Sequence, residues 1–106
     1  MDWNNEEECL EVVKQDGYEL RYVEKQTEEM CLEAVKKNGC ALLYVKHQTE
    51  KVCLAAVEQD GCALLYVTDQ TLEMSFAAVN QNKHVLQYVD KEKFSEVYTY
   101  HKLLYS

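Results

Sequence analysis

The chain has no proline among its 106 residues and only three glycines. Long loops and polyproline segments lack their usual punctuation, and a sandwich built on many tight hairpins is disfavoured. Both absences point to helices joined by short turns. Basic residues are also few: 11 Lys and Arg face 19 Asp and Glu, for a formal net charge of −8. A surface of that sign repels phosphate backbones and anionic lipid, so neither nucleic acid nor a membrane is an expected partner, while a basic protein is permitted. No apolar run approaches the roughly 20 residues of a membrane span. The opening MDWNNEEE is acidic where a secretory leader would be basic and then apolar. Five cysteines are an odd number for a disulfide framework. Together these features predict a reduced, cytoplasmic setting.

What the chain does have is a period. Residues 27–48 (TEEMCLEAVKKNGCALLYVKHQ) and 49–70 (TEKVCLAAVEQDGCALLYVTDQ) are identical at 14 of 22 positions. Residues 5–26 and 71–92 fit the same template with more drift. A fixed period of this length marks one supersecondary unit that cannot bury its apolar side alone. The predicted fold class is therefore all-α: a single domain over 1–106, built as a short solenoid of four helix-turn-helix repeats with a capping helix over about 91–104. Rungs spaced by about 8–10 Å give four units a span of roughly 40 Å.

Each unit reads as a helix start, an apolar cluster, a stop and a second helix. Asn5, Thr27, Thr49 and Thr71 are placed to cap a helix N-terminus. Glutamates follow in the first turn, where negative charge complements the helix dipole. Clusters such as Met30, Cys31, Leu32, Ala34 and Val35 supply the buried side, and alanines at 34, 56 and 78 permit close helix approach. Gly17, Gly39 and Gly61 then read as left-handed residues ending the first helix. Lys83 takes that place in the fourth unit, where a left-handed backbone would be strained. The second helix, Ala41 to Val45 and its equivalents, is expected to run about seven or eight residues, too few to persist alone.

At the C-terminus Asp90 is placed to cap a final helix running through Lys93 to Leu104. Phe94, Val97, Tyr98, His101, Leu104 and Tyr105 share one face of it, with Glu92, Lys93, Glu96 and Lys102 in solvent. At the other end Trp3, the lone tryptophan, is expected to cover the first repeat.

Stacked repeats align equivalent residues in columns. Cys9, Cys31, Cys53 and Ser75 form one, and successive rungs are too far apart for thiolates to share an ion held at about 2.3 Å, so packing is expected. Cys40 and Cys62 form a second pair; a disulfide between the two columns stays open, though the odd count argues against one. Tyr22, Tyr44, Tyr66 and Tyr88 form the clearest column, read either as mortar stacked edge to face between units or as an aromatic binding stripe. Lys36 and Lys37 become Glu58 and Gln59 in the next unit and Asn80 and Gln81 after that, the variation a repeat binder would show on its surface. No nucleophile elbow, phosphate-cradling loop or spaced acid–base pair occurs, so neither catalysis nor a cofactor or metal is expected.

The phrases QTEEMCLEAVKKNGCALLYVKHQTE and QTEKVCLAAVEQDGCALLYVTDQT resemble the short helical repeats of the domain of unknown function 4116 family. The likeness extends over about residues 5–92, departs at Ser75 and Lys83, and leaves out residues 93–106. It implies an α-helical repeat fold and carries over no functional residue. The expected function is a non-enzymatic protein-interaction module. The alternative is a small acidic inhibitor, or antitoxin-like protein, that occupies a basic nucleic-acid site on its target. Self-association through an uncapped end of the stack is a further expectation.

Overall fold

Every unit folds as an α-helix followed by a 3-10 helix. The computed structural model describes residues 1–105, and side chains as far as Leu103. The order is α1 (Glu6–Gln15), η1 (Gly17–Tyr22), α2 (Glu28–Lys37), η2 (Gly39–Tyr44), α3 (Glu50–Gln59), η3 (Gly61–Tyr66), α4 (Leu72–Gln81), η4 (Lys83–Tyr88) and α5 (Ser95–Tyr105). Here η denotes a 3-10 helix. The N-caps form as expected: Asn5 accepts from the Glu8 N–H, and Thr27, Thr49 and Thr71 accept from Met30, Val52 and Met74.

The second helix of each unit is a six-residue 3-10 turn pair, not the longer α-helix expected from its apolar run. Length explains the choice. Six residues rise about 12 Å as a 3-10 helix but only about 9 Å as an α-helix, and the chain must return along a ten-residue helix of about 15 Å. The steeper rise brings the chain back to the starting edge with few residues.

The glycines stop the helix, but not by turning left-handed. No described residue has a positive φ. The α-helices end at Asp16, Asn38, Asp60 and Asn82, whose extended backbones (φ near −145° for Asp16 and Asn82) redirect the chain. Three of these side chains also cap the following 3-10 helix, as Asp60 does by accepting from the Cys62 N–H at 2.9 Å. The glycine that follows is needed for contact. A Cβ on Gly39 would stand 2.6 Å from the backbone oxygen of Ala56, and one on Gly61 would stand 2.7 Å from that of Ala78. Gly17 meets Ala34 in the same way. Lys83 is therefore unstrained: α5 begins only at Ser95, and Lys83 lies exposed at the end of the stack.

The α-helices form one layer and the 3-10 helices another. Each element touches only its own unit and the adjacent ones, as a one-dimensional stack requires. Val13, Val35, Val57 and Val79 run through the middle without exposure, joined by Leu20, Leu42 and Leu64 from the 3-10 side. The result is a rod of 50 × 21 × 16 Å, the cap adding to the length of four rungs.

The capping segment starts later than the sequence suggests. Asp90 accepts from the Glu92 and Lys93 N–H groups in a tight turn, and α5 begins only at Ser95. Phe94 and Val97 are buried against the fourth unit. The Tyr98 hydroxyl reaches the carbonyl oxygens of Leu86 and Val89 at 3.0 and 2.9 Å, covering the exposed end of η4. Glu92, Lys93, Glu96 and Lys102 are exposed as expected, whereas the Leu104 and Tyr105 side chains lie outside the described residues. At the opposite end the Trp3 ring sits 5.3 Å from that of Tyr22 and packs on the core.

Because a methyl group at residue 39 would strike backbone, Gly39→Ala should destabilise the chain by about 2 kcal/mol in urea denaturation followed by circular dichroism. In an unconstrained helix the same change stabilises slightly. Lys83→Ala should shift stability by no more than about 0.5 kcal/mol.

Candidate functional site

The seams between units are stitched by side-chain amides at both edges. On the edge where the α-helices begin, Gln26 donates to the Tyr44 carbonyl at 2.8 Å and accepts from the Lys46 N–H at 2.9 Å. Gln48 bridges Tyr66 and Thr68 in the same way, and Gln70 bridges Tyr88 and Asp90. One primary amide thus supplies the carbonyl and N–H that close the 3-10 helix of the next unit. On the other edge Gln59 accepts from the Gly39 N–H and donates to the Lys37 carbonyl, while Gln81 serves Gly61 and Glu58 likewise. The first seam has lysine at the equivalent place, and Asn38 accepts from the Gly17 N–H at 2.8 Å instead. Among the described residues no buried side-chain polar atom lacks a partner.

The cysteine column belongs to these stitches. Cys31 and Cys53 are buried and donate to the side-chain oxygens of Gln26 and Gln48. Ser75 turns its hydroxyl to the Thr71 carbonyl. Burial pushes the Cys31 thiol up to about 11, with Glu28 adding to it. Cys40 also rises to about 11 through burial, then through the Asp60 carboxylate, which accepts its S–H. Thiols held this far above neutrality are not nucleophiles at physiological pH. All five cysteines are free, so no disulfide joins the two columns.

The expected binding residues fall in two separate places. Lys36, Lys37, Glu58 and Gln59 lie exposed at the C-terminal edge of the α layer, with Gln59 also engaged in the stitch above. Tyr22, Tyr44, Tyr66 and Tyr88 lie on the 3-10 layer, the first 48 % exposed and the others half-buried. Among the described residues no two tyrosines of this column pair ring to ring. Their backbone carbonyls join the units, those of Tyr44, Tyr66 and Tyr88 receiving the glutamine amides, while their half-buried rings pack against the core.

Beside this column is a feature the sequence did not disclose. Leu43 and Leu65 are 54 % and 53 % exposed on the outer side of η2 and η3. Residues three apart eclipse on a 3-10 helix, so each leucine stands over a half-buried cysteine, Cys40 or Cys62. Their counterparts are Arg21 and Gln87, preceded by Tyr18 and His84. The outer 3-10 face is thus apolar at its two middle rungs and polar at its ends. η2 and η3 carry no charged residue, whereas α1 to α4 together carry ten glutamates and four lysines. Where the α-helices begin, a crevice of about 280 Å³ opens over Gln26, its lining including Glu24, Glu28, Lys25 and Lys46. The carboxylates of that edge are interleaved with cations.

Replacing Gln48 with leucine leaves the Tyr66 carbonyl and the Thr68 N–H without their partner. Stability should fall by about 2 kcal/mol in urea denaturation, with the helical spectrum retained. A loss below about 0.5 kcal/mol would mean that the stitch adds nothing.

The described residues contain neither a group of three or more His, Cys, Asp or Glu side chains arranged to hold a metal nor a helix long and apolar enough to cross a membrane. No curated protein and no solved structure matches the chain. One family model does, twice and in overlapping register: Domain of unknown function (DUF4116) covers residues 5–49 and again 27–74. The two matches are offset by one 22-residue unit, as the stacked architecture requires, and the chain belongs to the DUF4116 family.

Proposed function

We propose that this chain is a non-catalytic helical-repeat module that binds protein through the outer face of its 3-10 layer. The observation that carries the reading is the pair Leu43 and Leu65. Large apolar side chains left about half exposed at adjacent rungs, next to a row of tyrosines, form the kind of patch that a protein partner covers. The fixed stitches behind them hold that face rigid, which lowers the entropic cost of association. Chemistry is not favoured by what the polar groups do: the Cys31 and Cys40 thiols are held protonated, glutamates sit at helix starts, and amides serve the seams. Free thiols throughout suit a reducing, cytoplasmic setting. Mimicry of a nucleic acid by an acidic inhibitor draws less support, because Lys25 and Lys46 interrupt the carboxylates along the crevice edge.

Captures from native lysate with the wild-type chain and with a Leu43→Glu/Leu65→Glu double variant test the reading. A partner retained by the wild type should be lost by the variant, whose circular dichroism and melting stay unchanged because both residues face solvent. Equal retention by the two would place binding elsewhere.

A further inference from the structure

Resting on the reading that the 3-10 face binds protein, we propose that its occupant is a second copy of this chain, docked face to face with the two rods antiparallel. Charge distribution argues first. Helices α1 to α4 carry a net −6, ten glutamates against four lysines, while η1 to η4 carry +1 from Arg21 and Lys83 against Glu19. Docking through the 3-10 faces turns both acidic layers outward and brings two nearly neutral surfaces together. A strongly basic partner would instead be drawn to the α layer and leave Leu43 and Leu65 uncovered.

Symmetry argues second. The columns run Tyr18, Cys40, Cys62, His84 and Arg21, Leu43, Leu65, Gln87, with the leucines on the two central rungs. A two-fold axis lying across the rods between η2 and η3 sets Leu43 against Leu65 of the second copy. It sets Arg21 against Gln87 and Tyr18 against His84. The parallel alternative places Arg21 against Arg21, which costs energy by repulsion. The antiparallel pairing yields an apolar centre with a polar rim, self-complementary as an isologous contact must be.

Area and the ends of the rod complete the case. The four rungs of the 3-10 layer, about 40 Å at the usual helix spacing, and the rod's narrowest dimension of 16 Å give a face of roughly 640 Å², at the lower end of what each partner of a standard interface covers. The ends are poorer routes. Glu8 and Glu19 stand in the first unit where Met30 and Ala41 stand in the second, and α5 closes the other end.

Sedimentation of the purified full chain across a wide concentration range decides the matter. The wild type should shift from monomer to dimer. Leu43→Glu and Leu65→Glu should each weaken self-association by at least about tenfold, the loss expected of a central anchor. High salt should leave the dimer intact because the contact is apolar. For register, Arg21→Cys protein mixed with Gln87→Cys protein should form mixed disulfides on mild oxidation, well above the wild-type background. Arg21→Cys protein alone should not. A wild type that stays monomeric throughout, or a dimer that survives both glutamate variants, overturns the proposal. Crosslinking of Arg21→Cys protein with itself overturns the antiparallel arrangement. If the chain is monomeric yet a lysate protein is still lost on substituting the leucines, the second copy is excluded while the binding face stands.

Discussion

The fold depends on one permission: the backbone of each 3-10 helix may touch the backbone of the next α-helix. Gly17, Gly39 and Gly61 grant it by lacking a Cβ where the carbonyls of Ala34, Ala56 and Ala78 arrive. Once the backbones are that close, the glutamine amides can span each seam and close the polar groups at both edges. Half-buried hydrogen bonds of this kind add modest net energy each. Their larger effect is registry, because any slip between units would leave N–H and carbonyl groups dry and unpaired.

A stack built this way sorts its residues by rung. Interior rungs keep glycine, alanine and the stitching glutamines together, whereas each end rung loses some of the repeat's buried or seam residues. Glu8 and Glu19 substitute for apolar residues at the start, while Lys83 and Glu92 take the places of glycine and glutamine in the last unit. The same logic separates the two layers. Acidic side chains gather on the α-helices, where first-turn dipoles favour them, and the central 3-10 helices stay uncharged. That division gives the rod a charged side and an apolar side from one short repeated phrase.

Much of this was legible in the residues. The 22-residue period and the Asn5, Thr27, Thr49 and Thr71 caps name the units and their starting points without ambiguity. The glycines mark the right places, but a turn residue and a contact residue look alike until the neighbouring unit is in position. Gln26, Gln48 and Gln70 recur at the end of three units, and that recurrence was a signal for a seam function. The exposure of Leu43 and Leu65 was not legible, because the runs Ala41 to Val45 and Ala63 to Val67 are apolar throughout and no polar residue marks their outer side. The start of α5 depends on how Asp90 folds its own turn, a local choice that the apolar spacing does not record.

The central claim is that the units hold one another up, and dissection of the chain by whole repeats tests it. Circular dichroism should show a chain lacking residues 49–70 to be folded and cooperative but less stable than the parent, because the seam between the second and fourth units re-forms with equivalent residues. An isolated peptide of residues 27–48 should show no helix in the same buffer. A folded peptide, or collapse of the shortened chain, would contradict the account.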